Sequence, residues 1–188
     1  MQDTLLQLKE TLERAAVLAD EVSRKQEAVT SEEEAVLTQI LEMVKPILPA
    51  ICEKVEIAAS HSGHQFHEWS YEYLDKPGLV LVGEFGREYT DRDYRGEYTG
   101  TSLVLTADGG LVELSYYGSW SNWQGEPCHW NSVKRAFTPR RAVEAYDFAD
   151  IVTGLARAIK EAAKKQEKKQ DHLEERLRVL EQVRGVLK

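Results

Sequence analysis

Along the first third of the chain the apolar positions recur at helical spacing. Leu5, Leu12 and Ala19 form one seven-residue series, and Leu8, Ala15 and Val22 form the interleaved one. That a/d pattern predicts an amphipathic helix over residues 3–28. Thr30 and Ser31, followed by Glu32, Glu33 and Glu34, supply an N-cap signal and acids against the helix dipole. They predict a second helix, with Val36, Leu37, Ile40, Leu41 and Val44 on one face. Pro46 and Pro49 must kink or break it, because proline lacks the amide donor and crowds the preceding turn. A further short helix, with Ile51, Val55 and Ala58 inward, is expected to follow.

Helical spacing returns at the other end. Thr138-Pro139 reads as N-cap and first helical position. From there Val143, Tyr146, Ile151, Leu155, Ala158, Ile159 and Ala162 make a stripe. It lapses over the polar run 164–170 and resumes with Leu173, Leu177, Leu180 and Val183. Nothing in the run breaks a helix, so one helix of nearly fifty residues is expected, with a break near Lys165 as the alternative.

Between the helical arms the period changes to two. Gln65 to Leu74 alternates, with His67, Trp69, Tyr71 and Tyr73 on one face and Phe66, Glu68, Ser70, Glu72 and Leu74 on the other. Lys76-Pro77-Gly78 is a turn, and Leu79 to Phe85 is apolar on both faces, as in a central or helix-covered strand. Gly86 to Gly100 suits a long hairpin or an irregular loop. Ala107-Asp108-Gly109-Gly110, between Leu103–Thr106 and Leu111–Tyr117, is the strongest hairpin signal. Trp130 to Phe137 closes the region as a last strand. The fold class that follows is α+β, a small antiparallel sheet of about four to six strands inserted between N-terminal helices and a long C-terminal helix or helix pair. The expected organisation is one composite domain: an N-terminal arm over 1–59, a β region over 60–138, and a C-terminal arm over 139–188 packing with the first.

Composition sharpens this division. Of the chain's 16 aromatic residues, 14 fall between His61 and Thr138, including all four tryptophans. The net charge of −8 is uneven. Residues 1–59 hold 12 acids and 6 bases, residues 60–138 hold 11 and 6, and residues 139–188 hold 9 and 12. The overall sign argues against duplex nucleic acid, which wants a concentrated basic surface. An acidic N-terminal part and a basic tail attract each other within or between chains, so a homo-oligomer through the arms is expected. Cys52 and Cys128 lie 76 positions apart and form no disulfide framework. The N-terminus shows no apolar signal segment, and no stretch reaches the roughly 18 apolar residues of a membrane span. A cytoplasmic location is the expectation.

Candidate chemistry concentrates in the β region. His61-x-x-His64-x-x-His67 invites a zinc reading, but Gly63 and the alternating strand after it keep the three imidazoles from one helical face, so no metal is expected. Catalytic elbows, zinc-protease and phosphate-loop motifs and dinucleotide fingerprints are missing, so no catalytic residue and no cofactor are assigned. Ser119 to Trp130 holds three tryptophans among loop-forming residues, a composition suited to ligand or partner anchoring. The candidate binding residues are Trp120, Trp123 and Trp130, with Tyr94, Tyr117, Arg92, Asn122, Gln124 and His129; Tyr116 extends the set. An aromatic wall of this kind also stacks nucleobases. The expected function is non-catalytic binding of a ligand or partner by this aromatic surface. Two alternatives stand beside it. One is a small hydrolase of a nucleotide-like substrate using His67, His129, Asp91, Asp93, Arg92 and Arg95. The other is an acidic decoy of a nucleic-acid-binding protein presenting Glu32, Glu33, Glu34, Asp91, Asp93 and Glu97.

Overall fold

A computed structural model describes the backbone of residues 2–61, 70–89, 95–121 and 128–186. Helix α1 runs unbroken from Gln2 to Val44. The boundary expected at Thr30-Ser31 does not form. Instead of capping a new helix, the Thr30 hydroxyl donates to the Gln26 carbonyl one turn back at 2.9 Å, as Thr11 and Thr38 do to Gln7 and Glu34. The prolines act as expected. Pro46 opens a 3₁₀ turn over Lys45–Ile47, and Pro49 opens the four-residue helix α2, Leu48–Ile51.

The short helix expected to carry Val55 and Ala58 is a strand, β1, Glu56–His61. Its neighbours explain the difference: β1 lies between two partners, and Ile57, Ala58 and Ala59 are all buried, so no alternation marks it in sequence. The other strands are β2 (Ser70–Tyr73), β3 (Gly78–Tyr89), β4 (Arg95–Thr106), β5 (Leu111–Ser121) and β6 (Cys128–Phe137). Between β3 and β4 the long-hairpin alternative holds, pairing from Gly78↔Thr106 to Tyr89↔Gly96. The β4–β5 turn is where the sequence puts it. Gly109 takes a φ of 89°, which L side chains rarely adopt, and the Thr106 amide donates to the Gly110 carbonyl at 2.8 Å.

All six strands are antiparallel, in the order β2-β1-β6-β5-β4-β3. β2 and β3 are therefore the two edges, yet only Leu74 to Pro77 separates them in sequence. Six flat strands put their edges about 24 Å apart, whereas a four-residue connection reaches roughly 17 Å. The sheet has to curl. Its ends meet at Glu53 and Gly78, which exchange two backbone hydrogen bonds of 3.1 and 2.8 Å. The result is a half-barrel with an inner and an outer face.

Each face has its own core. Outside, Leu79, Leu81, Leu103, Leu105 and Leu111 pack against Leu37 and Leu41 of α1, Ala142, and Ile151 and Leu155. Inside, Val55 and Ile57 meet Val104 and Leu114. Two strands intervene between β1 and β4, so these side chains touch only across the hollow of the curl.

The expected helix after Thr138 begins as read, with the Thr138 hydroxyl accepting from the Arg141 amide at 3.2 Å. It stops early. α3 spans Pro139–Ala145, Tyr146 is extended, and Asp147 caps the next helix through a 2.8 Å bond from the Ala149 amide. The Tyr146 hydroxyl instead donates to Glu113 of β5 at 3.0 Å. α4 then runs continuously over Phe148–Val186, straight through the polar stretch around Lys165. It lies on β3 at a bulge between Val80 and Val82. Gly154 permits this contact, since a Cβ there would sit 1.8 Å from the Leu81 carbonyl oxygen.

Two polar clusters fasten the frame. Arg140, at the start of α3, meets Glu27 of α1 at 2.7 Å, Glu144 at 2.6 Å and Glu34 at 3.8 Å. Its hydrogen bond and charge hold the Glu27 carboxyl below the ordinary carboxylate value of 4.5. This tether is complete above that value and is lost as the pH falls below it. Arg140→Gln is expected to speed amide exchange in α1 around residues 27–34 at neutral pH, with the core strands unaffected. Slowed or unchanged exchange there would show that the tether holds nothing.

In the β4–β5 turn, Asp108 takes hydrogen bonds from Lys76 and from the Thr106 hydroxyl, the latter at 2.6 Å. Lys76 first, then Thr106, hold its carboxyl at about 2, against an ordinary 3.8. The stabilisation is therefore full above the ordinary value and disappears as the pH falls towards 2. A carbon-detected NMR titration should place the Asp108 midpoint near the lower value, and Lys76→Met should return it most of the way to the higher one.

Candidate functional site

The concave face holds a cavity of about 850 Å³. Val55, Val80 and Tyr116 line it from inside the curl, Tyr71 and Trp130 from the strands nearest β1, and Glu53, Lys54 and Glu56 from the seam. Its outer lip is α4, through Ala158, Glu161, Ala162 and Lys165. The volume falls within the range of small-molecule sites, although the lining is richer in charge than most such pockets.

Strand register arranges the aromatic side chains. Ala59 of β1 pairs with Tyr71 on one side and with Trp130 on the other. Directly paired residues share a face, so two aromatic residues flank one small, buried residue that is 3% exposed. β2 and β6 lie two strand spacings apart, roughly 10 Å. Trp130 is in turn paired with Gly118 of β5. No side chain fits at Gly118, where a Cβ would lie 2.2 Å from the His129 carbonyl and 2.4 Å from the Trp130 Cα. Tyr116, on the same face of β5, meets the Trp130 ring edge-on at 5.6 Å between centroids and 71° between planes.

Polar groups enter at the rim. Burial, joined by the nearby Glu56 charge, pushes the Tyr116 hydroxyl above its ordinary value, while its hydrogen bond with Ser102 works the other way. Glu56 and Tyr116 both line the cavity. Lys165 is paired with Glu53 at 2.6 Å, and the Lys54 ammonium lies 5.2 Å from the Tyr73 ring centre. With one lysine matched to one glutamate, the described residues of the lining keep Glu56 and Glu161 against Lys54.

The structure places the predicted binding residues unevenly. Trp130 lines the cavity, joined by Tyr116. Tyr117 and His129 alternate to the outer face, beyond the part that the helices cover; Tyr117 is 52% exposed and His129 is exposed. Trp120 lies in β5, but its side chain is outside the described set, and Arg92, Tyr94, Asn122, Trp123 and Gln124 lie outside the described residues. So do His64, His67, Asp91 and Asp93 of the metal and hydrolase readings. Among the described residues no group of three His, Cys, Asp or Glu side chains converges as a metal site, and Cys52 is a free, half-buried thiol. The sequence reading missed Glu56, because the segment carrying it reads as a helix, and Ala59, whose role depends wholly on its strand partners. Tyr71 is legible as an alternating strand residue but not as the partner of Trp130 across β1.

Comparison with protein-family models, curated proteins and solved structures finds no match to this chain. Among the described residues no helix is long and apolar enough to cross a membrane.

Proposed function

We propose that this chain is a non-catalytic binding protein whose ligand is a small planar ring compound, neutral or cationic, such as a nucleobase or a heteroaromatic amine. The observation that carries the reading is the Tyr71–Ala59–Trp130 row on the wall of the cavity. Large, small and large residues on adjacent strands form a slot that suits a flat ring between two aromatic faces, and base–aromatic stacking is worth ~1–3 kcal/mol per base. Glu56, which lines the cavity with Tyr116, supplies an acceptor for a ring N–H, and among the described lining residues two glutamates against one lysine, beyond the Glu53–Lys165 pair, disfavour a phosphate. The helices support the slot from outside through the Leu-rich core and close its lip with α4.

Ligand-observed NMR with adenosine, guanosine and a cationic heteroaromatic amine tests this. At least one should bind the wild-type chain, and Glu56→Gln should weaken the amine most. Preference for a phosphorylated nucleotide over its nucleoside would contradict the charge argument.

A further inference from the structure

Both long helices outrun the body they support, and they do so at opposite ends. Glu27 of α1 is held by Arg140 at the start of α3, and from there α1 runs to Val44 and on to α2. α4 starts beside α3 and reaches the seam, where Lys165 meets Glu53 at 2.6 Å and Gln166 donates to the Ala50 carbonyl at 3.0 Å. The packed halves of α1 and α4 therefore run in the same sense, from α3 towards the seam. The free part of α1, before Glu27, leaves at the α3 end; the free part of α4, after Gln166, leaves at the seam end. Some twenty helical residues, roughly 30 Å, separate the two exits, so the arms cannot pair within one chain.

Each arm carries an apolar stripe facing water. Leu8, Leu12 and Val22 on α1, and Leu173, Leu177 and Leu180 on α4, are all between 55% and 61% exposed. Their spacing is the three–four alternation of a coiled-coil seam. The charges differ in sign: residues 2–28 hold 6 acids and 4 bases, and residues 163–186 hold 5 acids and 7 bases.

We propose that the occupant of each stripe is a second copy of this chain, with the α1 arm of one protomer lying antiparallel on the α4 arm of the other. A two-fold axis across the helices reverses one protomer. That brings an α1 arm beside an α4 arm at each end of the pair and covers all four stripes in a closed, isologous dimer. Opposite net charge favours α1 on α4 over either arm on its own kind.

Sedimentation equilibrium of the full chain should give twice the 21.4 kDa chain mass, with no further growth at higher concentration. Leu12→Glu and Leu177→Glu, each at an exposed arm position, should each return the particle to a single copy while the thermal transition of the sheet remains. Amine cross-linking of a mixture of light and ¹⁵N-labelled protein should join Lys25 of one copy to Lys164, Lys168 or Lys169 of the other. A single-copy mass at high micromolar concentration would overturn the proposal. So would mixed-isotope links confined to α1 with α1 or α4 with α4, or growth into open chains.

Discussion

Gly154→Ala should destabilise the protein by about 3 kcal/mol, although alanine is the better helix former by ~1 kcal/mol. The new methyl would lie 1.8 Å from the Leu81 oxygen and 2.6 Å from its carbonyl carbon, so both sides of the clash are backbone and no rotamer relieves it. α4 must lift from β3. In doing so it draws Ile151 and Leu155, both buried, away from Leu81 and the outer core. For a chain of this length the loss corresponds to a fall of roughly 10 °C in melting temperature. Calorimetry decides it: an unchanged or raised transition would mean that α4 does not press on the β3 bulge as described.

The second large effect is on binding. Trp130→Ala removes one side of the slot while leaving the β5–β6 backbone contact at Gly118 untouched. Loss of one stacking face should weaken a planar ligand about 5- to 150-fold, the equivalent of ~1–3 kcal/mol. Trp130→Phe keeps a ring in place and should retain most of the affinity. Tyr116→Phe keeps the edge-on contact but loses the hydroxyl that bonds to Ser102, so its effect should be the smaller. Equal losses in all three variants would point to a collapsed sheet rather than a missing wall, and far-UV circular dichroism separates the cases.

How much of this was legible in the sequence follows from which interactions are local. The helical stripes, the proline breaks, the Thr138 cap and the Asp108–Gly109 turn depend on a few neighbouring residues, and each is where its pattern puts it. The strand β1 was not legible, because burial on both faces erases its alternation, and neither was the stop at Tyr146, which follows from a bond to Glu113 on another element. Thr30 shows the same limit on a small scale, since a threonine hydroxyl caps or bonds back according to its context. Of the residues singled out in the aromatic-rich β region, Trp130 and Tyr116 line the cavity. What the residues alone could not supply is the face each one takes. Alternation sends Tyr117 and His129 away from Tyr116 and Trp130, and only the pairing of β1 with β2 and β6 brings Tyr71 and Glu56 to join them.

The most direct test is a titration that watches the slot itself. Uniformly ¹⁵N-labelled protein has four tryptophan indole N–H signals, and Trp130→Phe assigns the one that matters. On addition of adenosine, guanosine or the cationic heteroaromatic amine, the Trp130 indole signal should shift and saturate for at least one of them, and Trp130→Ala should bind that compound at least 5-fold more weakly. A Trp130 signal unmoved by all three, or an affinity that survives the alanine variant unchanged, would contradict the account.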